Sequence, residues 1–261
     1  MIDAELYATL FTLGLFGGFM SGLLGIGGGI IMVPLLLYVP PALNVGVLSM
    51  KTVAGITSVQ SFAGALSGAV GHKRYNRISS ALALTMGSSM AAGSLAGSIA
   101  SNWLSSKAIL MVFAVMAIIA AVLMLLPKAE DGPDPRPEDV VFNRTLAVVV
   151  GLGMGVLSGV IGQGGAFLFI PIMLYVMKIP TRITIGSAMV IGLASSVAVL
   201  LGRAGTSQIP YMMSAVLVVG VLIGAQFGSV LSQRTPRKLL RRVLSILIAF
   251  TAAKIWYQLL V

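Results

Sequence analysis

Cysteine is missing from this chain, histidine occurs once, as His72, and aspartate and glutamate together number seven. Each scarcity removes a class of chemistry. Without thiols there is no disulfide framework, no thiolate nucleophile, no iron–sulfur cluster and no cysteine-based zinc site. One imidazole does not make a metal centre, and no cofactor is implied. The carboxylates are confined to Asp3 and Glu5 near the start and to Glu130, Asp131, Asp134, Glu138 and Asp139 in the middle. None falls inside a long apolar run, which excludes a carboxylate proton relay and argues against a cage for metal cations. A nucleophile–base pair of the kind an enzyme needs cannot be assembled from what remains.

Charge of either sign is scarce. Charged residues make up 9% of the chain and apolar residues 57%, whereas a soluble domain carries about 25% charged residues. Such a chain cannot cover a water-facing surface, but it can face lipid. The net charge of +10 sits in short clusters between uncharged runs, the pattern of cytoplasmic loops rather than of a nucleic-acid surface. The first apolar run is not a cleavable signal: Asp3 and Glu5 stand where basic residues belong, and the uncharged stretch 6–50 is too long.

What is present is long runs without charge, at 6–50, 52–71, 78–106, 108–127, 145–177, 183–202, 204–233 and 243–253. A membrane helix needs about 20 apolar residues. Residues 127–144 interrupt the series with four prolines and five carboxylates. They read as a solvated linker between a first membrane unit, 1–126, and a second, 145–261.

The two units repeat. Residues 14–39 (GLFGGFMSGLLGIGGGIIMVPLLLYV) align without gaps on 151–176 (GLGMGVLSGVIGQGGAFLFIPIMLYV), with twelve of 26 positions identical. Gly93–Ser98 (GSLAGS) matches Gly224–Ser229 (GAQFGS). The expectation is an all-α polytopic membrane protein of two tandem helical repeats. Each copy opens with two apolar stretches separated by glycines, too long together for one crossing of a core about 30 Å thick. Either both stretches cross, or the segment enters, breaks and leaves on the same side. Simple up-and-down spans share the basic loop residues equally between the two faces. Re-entrant opening pairs, each followed by three crossings, put Lys73, Arg74, Arg77, Lys128, Arg136, Arg144, Lys178, Arg182, Arg234, Arg237, Lys238, Arg241 and Arg242 on one face and only Lys107, Arg203 and Lys254 on the other. The positive-inside rule favours that second arrangement. It makes the repeats inverted, keeps both termini outside, and places a multi-pass protein in the cell membrane.

The glycine clusters Gly25, Gly27, Gly28, Gly29 and Gly162, Gln163, Gly164, Gly165 are the candidate site. Non-helical backbone at membrane depth is tolerated only against protein or a water-filled cavity. A second half-helix begins at each cluster, and its N-terminal amides suit an anion. Two such ends meeting near the midplane would hold a small anionic substrate, with Ser21 and Ser158 adding hydroxyls. The competing reading is plain helix packing, which governs Gly93, Gly97, Gly224 and Gly228. Lys51 is either a functional cation or one that snorkels to the interface. Thr52, next to it, and Ser187 in the second copy are pseudo-equivalent polar positions at the same helix start. Gln60 and Gln226 fit interhelical glue and ligand equally.

Ser21–Gly29 with Val33-Pro34, its degenerate copy Ser158–Gly165 with Ile170-Pro171, and Arg182–Ser187 (RITIGS) beside an A-x-G-T-S pattern resemble the sulfite exporter TauE/SafE family. The likeness covers nearly the whole chain. It departs at Ala166, where the glycine triplet ends early, and at Lys51-Thr52, where the family often has Thr-Ser. The resemblance implies a permease for sulfur-containing anions such as sulfite or organosulfonates. A passive anion channel is the alternative.

Overall fold

A computed structural model describes residues 2–24, 29–72, 78–125, 136–163, 166–206, 208–234, 246, 250 and 253–256. Within them lie nine α-helices and no strand: α1 Ile2–Leu24, α2 Gly29–Ala42, α3 Met50–His72, α4 Ser80–Ala100, α5 Ser106–Leu125, α6 Arg144–Ile161, α7 Ala166–Tyr175, α8 Thr181–Ala204 and α9 Tyr211–Arg234. Of the linker, 136–143 is described and holds one 3-10 turn, Pro137–Asp139.

Six helices are long and apolar enough to cross a membrane: α1, α4, α5, α6, α8 and α9. Their outer faces carry large apolar side chains in the open, as Met111, Val115, Ile118, Ile119 and Val122 do along α5. Lipid is the solvent such a face suits. α3 matches the others in length at 23 residues but is not among the six. It buries Thr57, Ser58, Gln60 and Ser61 and is enclosed by neighbours, packing on α8, α9, α2, α5 and α1. A helix shielded from lipid on most sides can hold polar residues that a lipid-facing helix cannot. α2 and α7 are short, 14 and 10 residues, and carry Pro34 and Pro171 inside them.

The tightest packing joins the halves crosswise: α1 lies on α9, and α6 lies on α4. Glycines at four-residue spacing permit it. A Cβ added at Gly14, Gly18 or Gly22 would strike the backbone of Leu217, Val221 or Ala225. Added at Gly93 or Gly97, it would strike Leu152 or Val156. In both pairs the contacts climb together in residue number, so each pair is parallel. Helices in lipid gain little by hiding apolar groups from one another, and small residues let their backbones close to van der Waals contact. The packing expected for Gly93, Gly97, Gly224 and Gly228 is what the structure holds.

Further contacts fix which helix ends lie together. Lys51 at the start of α3 reaches Asn102, just past α4. Arg203, in the last turn of α8, reaches the end of α6. Gly55 abuts Ile209 ahead of α9. One end of the bundle therefore gathers the ends of α4, α6 and α8 and the starts of α3 and α9. At the other end, Ser79 ahead of α4 meets Ser187 in the first turns of α8.

Gly153 and Gly155 lie on one helix with opposite surroundings. An added Cβ meets nothing within 4 Å at Gly153 but the backbone of Met90, Gly93 and Ser94 at Gly155. Gly155→Ala is expected to cost about 1–3 kcal/mol by overpacking, while Gly153→Ala stays within about 1 kcal/mol of the parent. Melting of the two variants in detergent checks this, and equal melting points would refute the close-approach account.

Candidate substrate site

The best-defined break is the one after α6. Gly162 takes a left-handed conformation at φ 82°, which glycine adopts without penalty. The Gly162 and Gln163 amides both donate to the Ser158 carbonyl, at 3.0 and 3.1 Å, closing the helix in a Schellman-type turn. The Ser158 hydroxyl donates to the Gln163 carbonyl. Gly162 is pressed against the backbone of Ala54 on α3, and the Thr57 hydroxyl lies 3.4 Å from the Gly162 carbonyl. α7 starts at Ala166, immediately beyond.

Ending α6 here leaves carbonyls without helical partners, and Arg203 takes two of them. Its side chain is wholly buried. Nη2 donates to the carbonyls of Gly159 at 3.0 Å and Val160 at 2.8 Å. A guanidinium at the negative end of a helix is favourably placed. Nη1 donates to Gln208 Oε1 at 2.6 Å. Gln208 Nε2 donates to Asn102 Oδ1 at 2.7 Å, and Lys51 Nζ donates to the Asn102 carbonyl at 3.2 Å. A continuous polar chain thus runs from α3 past α4 and α8 to the broken end of α6. It contains two cations, and among the described residues no carboxylate pairs with either. Arg203 Nε has no hydrogen-bond partner. An arrangement of fixed positive charge and spare N–H donors, without a competing anion of its own, is suited to taking one from outside.

The family model for the sulfite exporter TauE/SafE matches residues 10–255. The chain belongs to the sulfite exporter TauE/SafE family. Similar proteins include a probable membrane transporter protein of Xylella fastidiosa (strain 9a5c), 28% identical over 243 residues that cover 92% of this chain and 91% of the relative. The probable membrane transporter protein YunE of Bacillus subtilis (strain 168) is 23% identical over 270 residues, covering 97% and 98%. YdhB of the same strain, also a probable membrane transporter protein, is 26% identical over 234 residues, covering 86% and 89%. No solved structure matches. This TauE/SafE protein is accordingly a multi-pass membrane transporter.

The residues singled out in this TauE/SafE chain separate into groups. Gly162 and Gln163 form the broken end of α6, and Lys51 is linked to it through Asn102, Gln208 and Arg203. Thr52 does not join them chemically: its amide and hydroxyl both engage Ser49, at 3.1 and 2.9 Å, in capping α3. Ser158 is fully buried, and its hydroxyl donates to the Gln163 carbonyl, which finishes the helix. Ser187 accepts the Ser79 amide at 3.2 Å, at the far end of α4. Since α4 has 21 residues, roughly 30 Å at 1.5 Å per residue separates Ser187 from Lys51. Thr52 and Ser187 are therefore not equivalent: one is the third residue of α3, the other the seventh of α8.

Ser21 is buried in the last turn of α1, and Gly29 is the first residue of α2. Gly25, Gly27, Gly28, Gly164 and Gly165 lie outside the described residues. Among the described residues, the last turn of α1 and the end of α6 stand at different levels of the bundle. The end of α1 runs alongside Ala225, fourteen residues into α9 (225 − 211), while Gly162 sits level with the start of α3 beside Ile209. About 20 Å along the axis lies between them. Both α1 and α6 are long and apolar enough to span a bilayer before they end. Arg203, Asn102 and Gln208 escaped the sequence reading because Arg203 counted as a loop cation. The available signal was its face, where so few cations stand that none is needed as an anchor.

Gly162→Ala forces a left-handed conformation on a residue with a Cβ, at about 1–2 kcal/mol, and drives that Cβ into Ala54. A clear fall in melting temperature and loss of transport are expected; an unchanged melting curve would overturn the placement of the break.

Proposed function

We propose that this protein is a secondary transporter of small sulfur-containing oxyanions, sulfite or organosulfonates, acting in the cell membrane. The observation that supports the reading is the pair of cations, Lys51 and Arg203, joined through Asn102 and Gln208 at the broken end of α6, with no carboxylate paired to either among the described residues. A buried arginine in a membrane helix carries a free-energy cost that its partners must offset, and such residues mark substrate paths. Lys51 supplies a point charge at the mouth, while Arg203 Nε and the first amides of α7 add directed donors. The anion exchanges its hydration shell for these groups as it enters.

Two membrane units, 1–126 and 145–261, joined by the polar linker 127–144, accord with the crosswise packing. Inverted repeats explain why α1 pairs with α9 and α6 with α4, each parallel, and why α3 and α8 run oppositely. A re-entrant opening pair accords with α1 leaving the Lys51 end and α3 starting there again, with α2 as the returning limb. Lys107, Arg203 and Lys254 then belong to the outer end and the basic loops to the cytoplasm. An anion leaving the cell moves with the membrane potential, at about 2.3 kcal/mol per charge per 100 mV, so export needs no carboxylate-bound coupling ion.

Purified protein in liposomes is expected to move sulfite with saturable kinetics, and Lys51→Met to raise the half-saturating concentration at least tenfold. Absence of flux for every member of a sulfur-oxoanion panel would remove the substrate class. Flux that rises linearly with concentration would point to a channel instead.

A further inference from the structure

Gln60 lies in the third turn of α3, 1% exposed, and neither its amide nitrogen nor its amide oxygen has a hydrogen-bond partner. Buried amides are almost always satisfied, and an unsatisfied one opposes folding. Its surroundings are not tightly filled. Four residues on, and so on the same face of α3, a Cβ added at Gly64 would meet nothing within 4 Å. On α8, Gly192 is buried, and there too an added Cβ meets nothing within 4 Å.

These positions stand at one level. α3 and α8 pack together and run oppositely, since the start of α3 and the end of α8 both meet the end of α6. Counting ten residues from Ala54 along α3 reaches Gly64, and counting eleven back from Arg203 along α8 reaches Gly192. Eleven residues make three turns, so Gly192 lies on the Arg203 face of α8. Thr57 places the Gln60 face of α3 towards the same broken end of α6. The two faces converge beneath the α6 break, on space that two glycines leave clear.

We propose that α3 and α8 enclose an internal substrate station at Gln60, given room by Gly64 and Gly192, which selects an oxyanion carrying its own O–H. This rests on the anion-transport reading and adds to it the protonation state of the guest. The Gln60 Nε2 hydrogens donate to an oxygen of the anion, while Oε1 accepts the O–H of the anion. A fully deprotonated oxyanion, or a sulfonate without a hydroxyl, satisfies only half of the amide, and the unmet carbonyl penalises it. Hydrogensulfite, HO–SO2−, meets both needs; methanesulfonate, of the same charge and with as many oxygens, meets one.

The test measures sulfite and methanesulfonate flux at one near-neutral pH in liposomes containing the full chain, as parent and as Gln60→Leu, with melting of each in detergent. The parent is expected to prefer sulfite at least tenfold. Gln60→Leu is expected to bring that ratio close to one and, by removing an unpaired buried amide, to raise the melting temperature. Gly192→Leu fills the space and is expected to stop both fluxes in a protein that still melts cooperatively. A lowered melting temperature in Gln60→Leu with the ratio unchanged would make Gln60 an internal strut and overturn the station. Parent protein that moves methanesulfonate as fast as sulfite would overturn the selectivity while leaving anion transport standing. Parent protein that moves neither would overturn both.

Discussion

Two helices in a bilayer gain nothing by burying leucine against leucine, because the tails around them are just as apolar. Their attraction comes from backbone contact at close range, and that requires the Cβ atoms to be absent along one stripe. Here the stripes lie on α1 and α9 and on α4 and α6, so the strongest contacts run between the two halves of the chain and not within them. Everything polar is arranged in the space these two seams hold open. α3 and α8, packed between the seams, turn only part of their surface outwards, as α8 does at Leu201, and on the enclosed part hold buried threonines, serines, a glutamine and an arginine.

The break after α6 and the buried cation beside it are one device. A left-handed glycine stops the helix and frees carbonyls at its negative end; those carbonyls give a guanidinium the only welcome it would find at that depth. Once Arg203 is seated, Gln208 and Asn102 carry the polar chain on to Lys51. Among the described residues the charge is balanced by dipoles and not by a carboxylate. Dipoles can stabilise a cation without cancelling its field, so an incoming anion still feels it. A salt bridge at the same place would have left nothing to attract.

Much of the fold was legible in the sequence because lipid imposes coarse rules: long uncharged runs, a polar linker, glycines at intervals of four. The packing role of Gly93 and Gly97 could be read from spacing alone. The site was legible only in part. Lys51 betrayed itself as a cation inside an apolar run, and Gly162 by its repeated motif. Arg203 looked like an ordinary loop residue because burial is a property of the folded bundle. How the two glycine clusters stand to one another was not legible, because sequence gives the position of a break along the chain but not its depth. Thr52 and Ser187 fall on different turns of α3 and α8, because the stretch from the opening helix to the next differs in length between the copies, so the same offset does not find the same turn.

The crosswise seams also bear on what each half of the chain needs. A single unit, standing alone, would leave the glycine stripe of its first helix bare and its fourth helix without a mate. Carrying both halves on one chain means that neither has to find its mate by diffusion through the bilayer.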